Sequence, residues 1–258
     1  DGPRGVTATL SNDTVNHILY VTVSAVGSGI VWTGTNSVSP NLWDLNTTTN
    51  WLIGSLPTDY IENVPPGDAV TFNDLGSGTV LLSNTVSPAS VTINNATVGY
   101  TFQGSGQINS LGALTKVGAA AVTLNVPGTF SGNSVLSNGV VNLGASQTFA
   151  NLSGDSTVTT SSGSPTLTVN NNSDAAFSGD ITASTLIKGG TAAFTVTGSN
   201  NLSGNLFVSG GILTLDSGFI SAGSYCSIGR GGTDNGALTL KGTATFNGNN
   251  DFNVGDVG

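Results

Sequence analysis

Of 258 residues, 37 are glycine, none is methionine and 7% are charged, with a net charge of −9 from 14 carboxylates against five cations. Ordinary globular chains carry about a quarter charged residues, so this surface must be made of Ser, Thr, Asn and backbone. The cations Arg4, Lys116, Lys188, Arg230 and Lys241 are scattered, which excludes nucleic-acid binding, because phosphate recognition needs clustered Lys and Arg. No apolar run nears the roughly 20 residues of a membrane-spanning helix, so no transmembrane segment is expected, and no N-terminal signal pattern is present. Asp1 is not an initiator Met, so the chain is expected to be a processed or excised piece of a longer protein. Cys226 is the only cysteine; it excludes an internal disulfide and reads as a small buried apolar residue.

Residues 1–27 predict two alternating strands, Val6–Leu10 and Ile18–Val23, with Asn12-Asp13 as the turn between them. They read as the end of a preceding β unit. Residues 28–75 differ in texture: all three tryptophans (Trp32, Trp43, Trp51) fall here with Tyr60, four prolines and the only glutamate, Glu62. Proline clusters and aromatics with little alternation predict a looped segment or cap held by aromatic packing.

From 76 to 258 short alternating runs, such as Val122-Thr123-Leu124 and Thr166-Leu167-Thr168-Val169, are cut every few residues by Gly, Asn, Asp or Ser. No window carries the apolar spacing of a helix. Within this stretch residues 114–143 align with 186–215 at a constant offset of 72, with 12 identities in 30 positions, among them Lys116/Lys188, Gly118/Gly190, Gly132/Gly204 and Gly139/Gly211. A shorter period of 26 relates Cys226-Ser227-Ile228-Gly229 to Phe252-Asn253-Val254-Gly255. Long internal periods signal stacked units, and strands this short, with turns this dense, predict an all-β parallel β-helix whose backbone pairs between successive rungs. The repeated glycines are expected at corners that need positive φ.

The stretches Leu114-Thr115-Lys116-Val117-Gly118…Phe130-Ser131-Gly132…Gly139-Val140-Val141 and Leu186-Ile187-Lys188-Gly189-Gly190…Leu202-Ser203-Gly204…Gly211-Ile212-Leu213 resemble the autotransporter-associated β-strand repeat, with Ala120 and Ala192 in place of its second Gly and Phe130 and Leu202 in place of its aromatic. The Trp32…Trp43-Asp44…Trp51…Pro57…Asp68…Phe72 stretch is similar to the segment that often precedes such repeats in very long bacterial surface proteins. The resemblance covers about two thirds of the chain. It implies a right-handed β-helix in a secreted or surface-displayed bacterial passenger, and it does not imply a membrane barrel, since nothing alternates as a lipid-facing strand should.

Each candidate chemistry competes with a plainer role. A β-helix polysaccharide lyase or hydrolase needs a paired acid and base. His17, the only histidine, reads instead as a solvated strand residue far in sequence from any acidic cluster. Lys116 and Lys188 occupy equivalent repeat positions, so they are expected to pack their stems and leave the ammonium in water. Asp59, Glu62, Asp68 and Asp74 form the densest set of oxygen ligands and are the candidate Ca²⁺ site, with Asp251 and Asp256 flanking a second turn, yet no calcium-loop motif is present. Trp32, Trp43, Trp51 and Tyr60 are either a platform for stacking sugars or a small core that seals the coil. An uncharged Thr/Asn/Ser face would also suit ice or a crystalline polysaccharide, although Thr157-Val158-Thr159 and Thr195-Val196-Thr197 are isolated in the sequence. The sequons at Asn12, Asn46, Asn95, Asn151, Asn171 and Asn201 are what chance yields in this composition.

The expectation is therefore a non-catalytic structural module of a secreted or cell-surface bacterial protein: a stalk, adhesin or filament component. Its expected partners are copies of itself, end to end or side by side, or surface glycans. A carbohydrate-binding module centred on the Trp segment is the alternative, and a polysaccharide-degrading β-helix is the third.

Overall fold

A computed structural model of the chain describes residues 7–13, 16, 18–25, 29–229, 231 and 233–255; His17, Arg4, Arg230 and Asp256 lie outside the described residues. The described residues form an all-β chain of short strands, most of them stacked in parallel as a β-helix of about eight turns. Thr7–Asp13 and Ile18–Ala25 pair antiparallel as a separate two-stranded sheet. Asn12 and Asp13 continue the first strand, opposite Leu19 and Ile18, so the expected turn residues are paired backbone instead.

The rest of the chain winds around three faces. One rung shows the pattern: Leu114–Lys116 lies on the first face, Val122–Leu124 on the second, and Gly128–Leu136 starts on the third and bends at residues 131 and 132 back onto the first. Away from the two ends, each strand bonds to the strand one turn before it and one turn after. On the first face Leu114 pairs with Val91 and Thr115 with Val135. On the second Val122 pairs with Tyr100 and Val141. On the third Phe130 pairs with Ser110 and Phe149. Successive turns therefore lie about 4.8 Å apart, and within the inner strands a paired side chain has a neighbour of the same orientation directly above and below.

That register explains the composition. Alternate residues point inward, and Tyr100, Phe102, Val122, Leu124, Phe130 and Phe149 are all buried. Phe130 and Phe149, in register, stack with centroids 5.3 Å apart and planes 14° from parallel. The residues between them face out, and here threonine recurs in vertical columns: Thr71, Thr92 and Thr115 on the first face, and Thr129, Thr148 and Thr168 on the third. On the second face Thr79, Thr101, Thr123, Asn142 and Thr159 continue through Thr182, Asn201, Ser221 and Asn247, the step between Thr159 and Thr182 being set by the pairing of Val158 with Ile181. Threonines that are isolated along the sequence are thus neighbours across it.

The coil begins before residue 76. Ile30–Trp32 and Val70–Asn73 pair in parallel on the first face, and Leu42–Trp43 pairs with Thr79–Leu82 on the second. Beneath Ile30–Trp32 the direction reverses: Trp51–Ile53 runs antiparallel to it, and Leu56–Thr58 antiparallel to Trp51–Ile53. The Trp-rich segment is thus the first, partly antiparallel rung, and its hairpin covers the parallel edge at this end.

The expected corner glycines divide into two kinds. Gly139, Gly190 and Gly211 have positive φ of 70°, 72° and 61°. Gly118 does not; its hydrogen faces the preceding turn, and a Cβ there would lie 1.9 Å from the backbone oxygen of Asn95. At that corner the stacked backbone leaves no room for a side chain. Gly118→Ala is expected to lower stability by about 1–3 kcal/mol. Gly99→Ala, whose Cβ would meet only Ala121 oxygen at 3.6 Å, should stay within about 0.5 kcal/mol of the parent in urea unfolding.

Candidate functional site

Three groups of residues singled out by the sequence can be located. The aromatic set comes together, but inside. Trp32, Trp43, Trp51 and Tyr60 are 0–1% exposed, and they pack edge to face: Trp32 on Trp51 at 4.9 Å, Trp43 on Trp51 at 5.2 Å and Trp43 on Tyr60 at 5.4 Å. Phe72 of the next turn closes the cluster against Trp51 at 5.5 Å. Trp32 donates its Nε1 hydrogen to Ser77 O at 3.0 Å. A sugar platform needs an open ring face; these rings spend theirs on one another and plug the end of the coil. Of the two roles open to this set, burial fits the small core that seals the coil and not the sugar platform. Trp51→Ala is therefore expected to destabilise by about 3–5 kcal/mol, where loss of a solvent-facing platform residue would leave the melting temperature nearly unchanged.

The carboxylates are not gathered around a common point. Glu62 Oε2 accepts from the Tyr60 hydroxyl at 2.6 Å and from Ser87 N at 2.6 Å, so it ties the aromatic plug to the first full turn. Burial, then the hydrogen bond to Glu62, push the Tyr60 hydroxyl pKa well above the ordinary phenol value. Asp68 Oδ2 accepts from Ile61 N at 2.9 Å. Asp74 stands apart and caps the turn above it: its two oxygens accept from Ala96, Thr97 and Val98 N at 3.0, 2.9 and 2.9 Å. Among the described residues no group of three or more His, Cys, Asp or Glu is placed to hold a metal. The residues named for Ca²⁺ do not fit that ion, because Glu62, Asp68 and Asp74 are committed to backbone hydrogens of separate loops.

Those backbone donors hold the Asp74 carboxyl down to about 2, the bonds from Val98 and Thr97 being the largest causes. A carboxylate whose folded pKa is depressed contributes stability above its ordinary value of 3.8, and loses it as pH falls through 2. Acid titration of the melting temperature should therefore drop between pH 4 and 2. Asp74→Asn, which cannot ionise, should begin lower at pH 5 and drop less across about the same interval.

The two lysines overturn their expected role. Lys116 and Lys188 are 0% exposed, and each stands in an inward column, Lys116 between Ile93 and Leu136, Lys188 between Val169 and Val208. Each ammonium is buried and donates to backbone carbonyls: Lys116 Nζ to Gly118 O and to Asn138 O, Lys188 Nζ to Gly189 O and to Gly210 O at 2.9 Å. The far acceptor is in both cases 22 residues ahead, on the next turn, and Asn138 and Gly210 are themselves 72 apart. Each lysine thus stitches two turns at one corner. Among the described residues no carboxylate pairs with either, and burial pulls both below the ordinary amine value, Lys188 to about 8. Since the unfolded chain then binds more protons than the folded one between pH 8 and 10.5, stability must rise with pH in that interval. Cys226, pushed up to about 11 by burial, works in the opposite sense above its ordinary value of 9.0, so the clean window is pH 8 to 9. The melting temperature should climb across it, and the climb should shrink in Lys188→Met.

Inward asparagines are the residues that composition did not single out. Asn50 is buried and fixes the loop of residues 36–42, donating to Ser39 O and Leu42 O and accepting from Asn36 N. Asn95 donates to Val98 O and Ala121 O, and Asn200 to Gly198 O and Phe219 O, each bridging adjacent turns. The sequence signal was an Asn in an inward place of an alternating run. Asn95 and Asn171 are sequon asparagines, and both are buried, so the folded chain offers no glycosylation there. No protein-family profile matches the chain, and neither a curated protein nor a solved structure does.

Proposed function

We propose that this chain is a load-bearing structural module of a secreted or cell-surface bacterial protein, serving as a stalk, adhesin or filament component. The observation that carries the reading is the continuity of rung-to-rung pairing on all three faces from Val70 to Val254. Backbone bonds between turns run along the coil axis, so tension on the rod is shared by many parallel bonds at once. The interior is filled with Val, Leu, Ile and Phe, with two buried ammonium stitches. The end built from residues 30–60 is closed by an aromatic plug.

The low charge and the Thr/Asn/Ser exterior support an exposed, weakly interacting surface. The likeness of residues 114–143 and 186–215 to the autotransporter-associated repeat supports placement on a bacterial surface. Side-by-side or end-to-end association between copies belongs to the same reading, supported by the uncharged Thr/Asn/Ser columns that each face presents to a neighbour. The test is stretching of single molecules tethered at both ends. A stalk should resist and then yield in a sawtooth of small, similar steps, about one turn each. A single low-force event releasing the whole chain would reject the load-bearing role.

A further inference from the structure

Where the first face turns into the second, near the upper turns, a cleft of about 380 Å³ opens. Gly198 and Gly218 leave it room, and Thr197, Ser199, Ser217, Thr243 and Thr245 bring five hydroxyls to its wall. Its sixth side chain is Phe219, which points outward from a polar face and is only half-buried. Ser199, Phe219 and Thr245 are in register on three successive turns, so the Phe219 backbone has a hydroxyl-bearing residue about 4.8 Å above and below it.

The hydroxyls of Thr197, Thr243 and Thr245 make no hydrogen bond among the described residues. The nearby carboxylates are engaged, Asp180 Oδ1 with Ser199 N at 2.7 Å and Asp216 Oδ1 with Ser217 Oγ at 3.2 Å. The lining itself holds no charged side chain; Asp216 and Lys241, in register with each other at its border, are of opposite sign and leave no net charge there. A flat apolar ring among free hydroxyls suits a neutral sugar, whose C–H face lies on the ring while its own hydroxyls meet the wall. Two residues along the same strands, Asn201, Ser221 and Asn247 begin the outward column that continues down the second face to Thr79. That column repeats at every turn along the coil, which fits an extended polymer better than a coiled one.

We propose that the second face binds a neutral, extended polysaccharide chain lying along the coil axis, with one sugar ring seated on Phe219 in the cleft. This goes beyond the stalk reading and does not depend on it, since a module of any role would carry the same face.

The experiment is a pull-down of the full chain on cellulose, chitin and xylan, with amylose as the coiled control, followed by calorimetric titration with hexasaccharides of whichever is bound. Binding to at least one β-1,4-linked polymer, unchanged in about 1 M sodium chloride, is expected. Phe219→Ala should weaken it by about tenfold. If that variant melts early, Thr245→Val and Thr182→Glu, which alter only outward side chains, should each weaken binding while melting as the parent does. The proposal fails if the folded chain binds none of the three polymers or binds amylose alone. It fails equally if salt abolishes the binding, or if Thr245→Val and Thr182→Glu both bind as the parent does.

Discussion

Everything in this structure depends on backbone pairing between turns. A strand of three or four residues has too little surface to fold alone, but here each finds its partners one turn below and one turn above. Val122–Leu124 is held by Tyr100–Gly104 beneath and Val140–Leu143 above, and neither neighbour is a hairpin partner. Register is then strict, because a slip of one residue would turn Val122 and Leu124 outward and Thr123 inward. The same constraint demands a special first turn, where no turn among the described residues lies below to pair with. Trp51–Ile53 meets that need by running antiparallel under Ile30–Trp32, and the tryptophans fill the space that another turn's side chains would occupy.

Strict register also makes buried polar groups tolerable. A lysine in an inward column is costly unless its ammonium is hydrogen-bonded. At the corners, carbonyls of two successive turns converge, and Lys116 and Lys188 each reach a pair of them. Asn95 and Asn200 use corner carbonyls in the same way. Apolar packing sets the cross-section of the coil, and these polar stitches fix one turn against the next.

Much of this was legible in the sequence. Alternation in runs such as Thr166-Leu167-Thr168-Val169 gave the strands, and the absence of helical spacing with a long internal period pointed to a parallel coil. The period itself is less simple than it reads. Leu114–Lys116 lies on the first face, whereas its repeat partner lies in Thr185–Gly189 on the third. An offset of 72 therefore amounts to three turns and two thirds, and the repeat rotates about the axis while keeping its lysine buried. Sequence spacing carries the local shape of a corner, not the face on which that corner falls. The threonine columns were hidden for a related reason: Thr123 and Asn142 are 19 residues apart, Thr101 and Thr123 are 22 apart, and turns of unequal length show no fixed period. The lysines misled because equivalence between repeats implies a structural role without saying which end of the side chain meets water. The aromatic set was correctly seen as a cluster; whether its rings face in or out is decided by the antiparallel hairpin, which short-range pattern does not reveal.

The most direct test of the account is a pair of engineered cysteines. Thr148 and Thr168 are in register on adjacent turns of the third face, and Ile187 lies one turn further. Adjacent turns place Cα atoms about 4.8 Å apart, within disulfide range, and two turns place them about 9.6 Å apart, beyond it. Thr148→Cys with Thr168→Cys should close an intramolecular disulfide under mild oxidation in the native state, whereas Thr148→Cys with Ile187→Cys should not. The reverse pattern, or equal yields from both pairs, would contradict the stacking of turns on which the whole account rests.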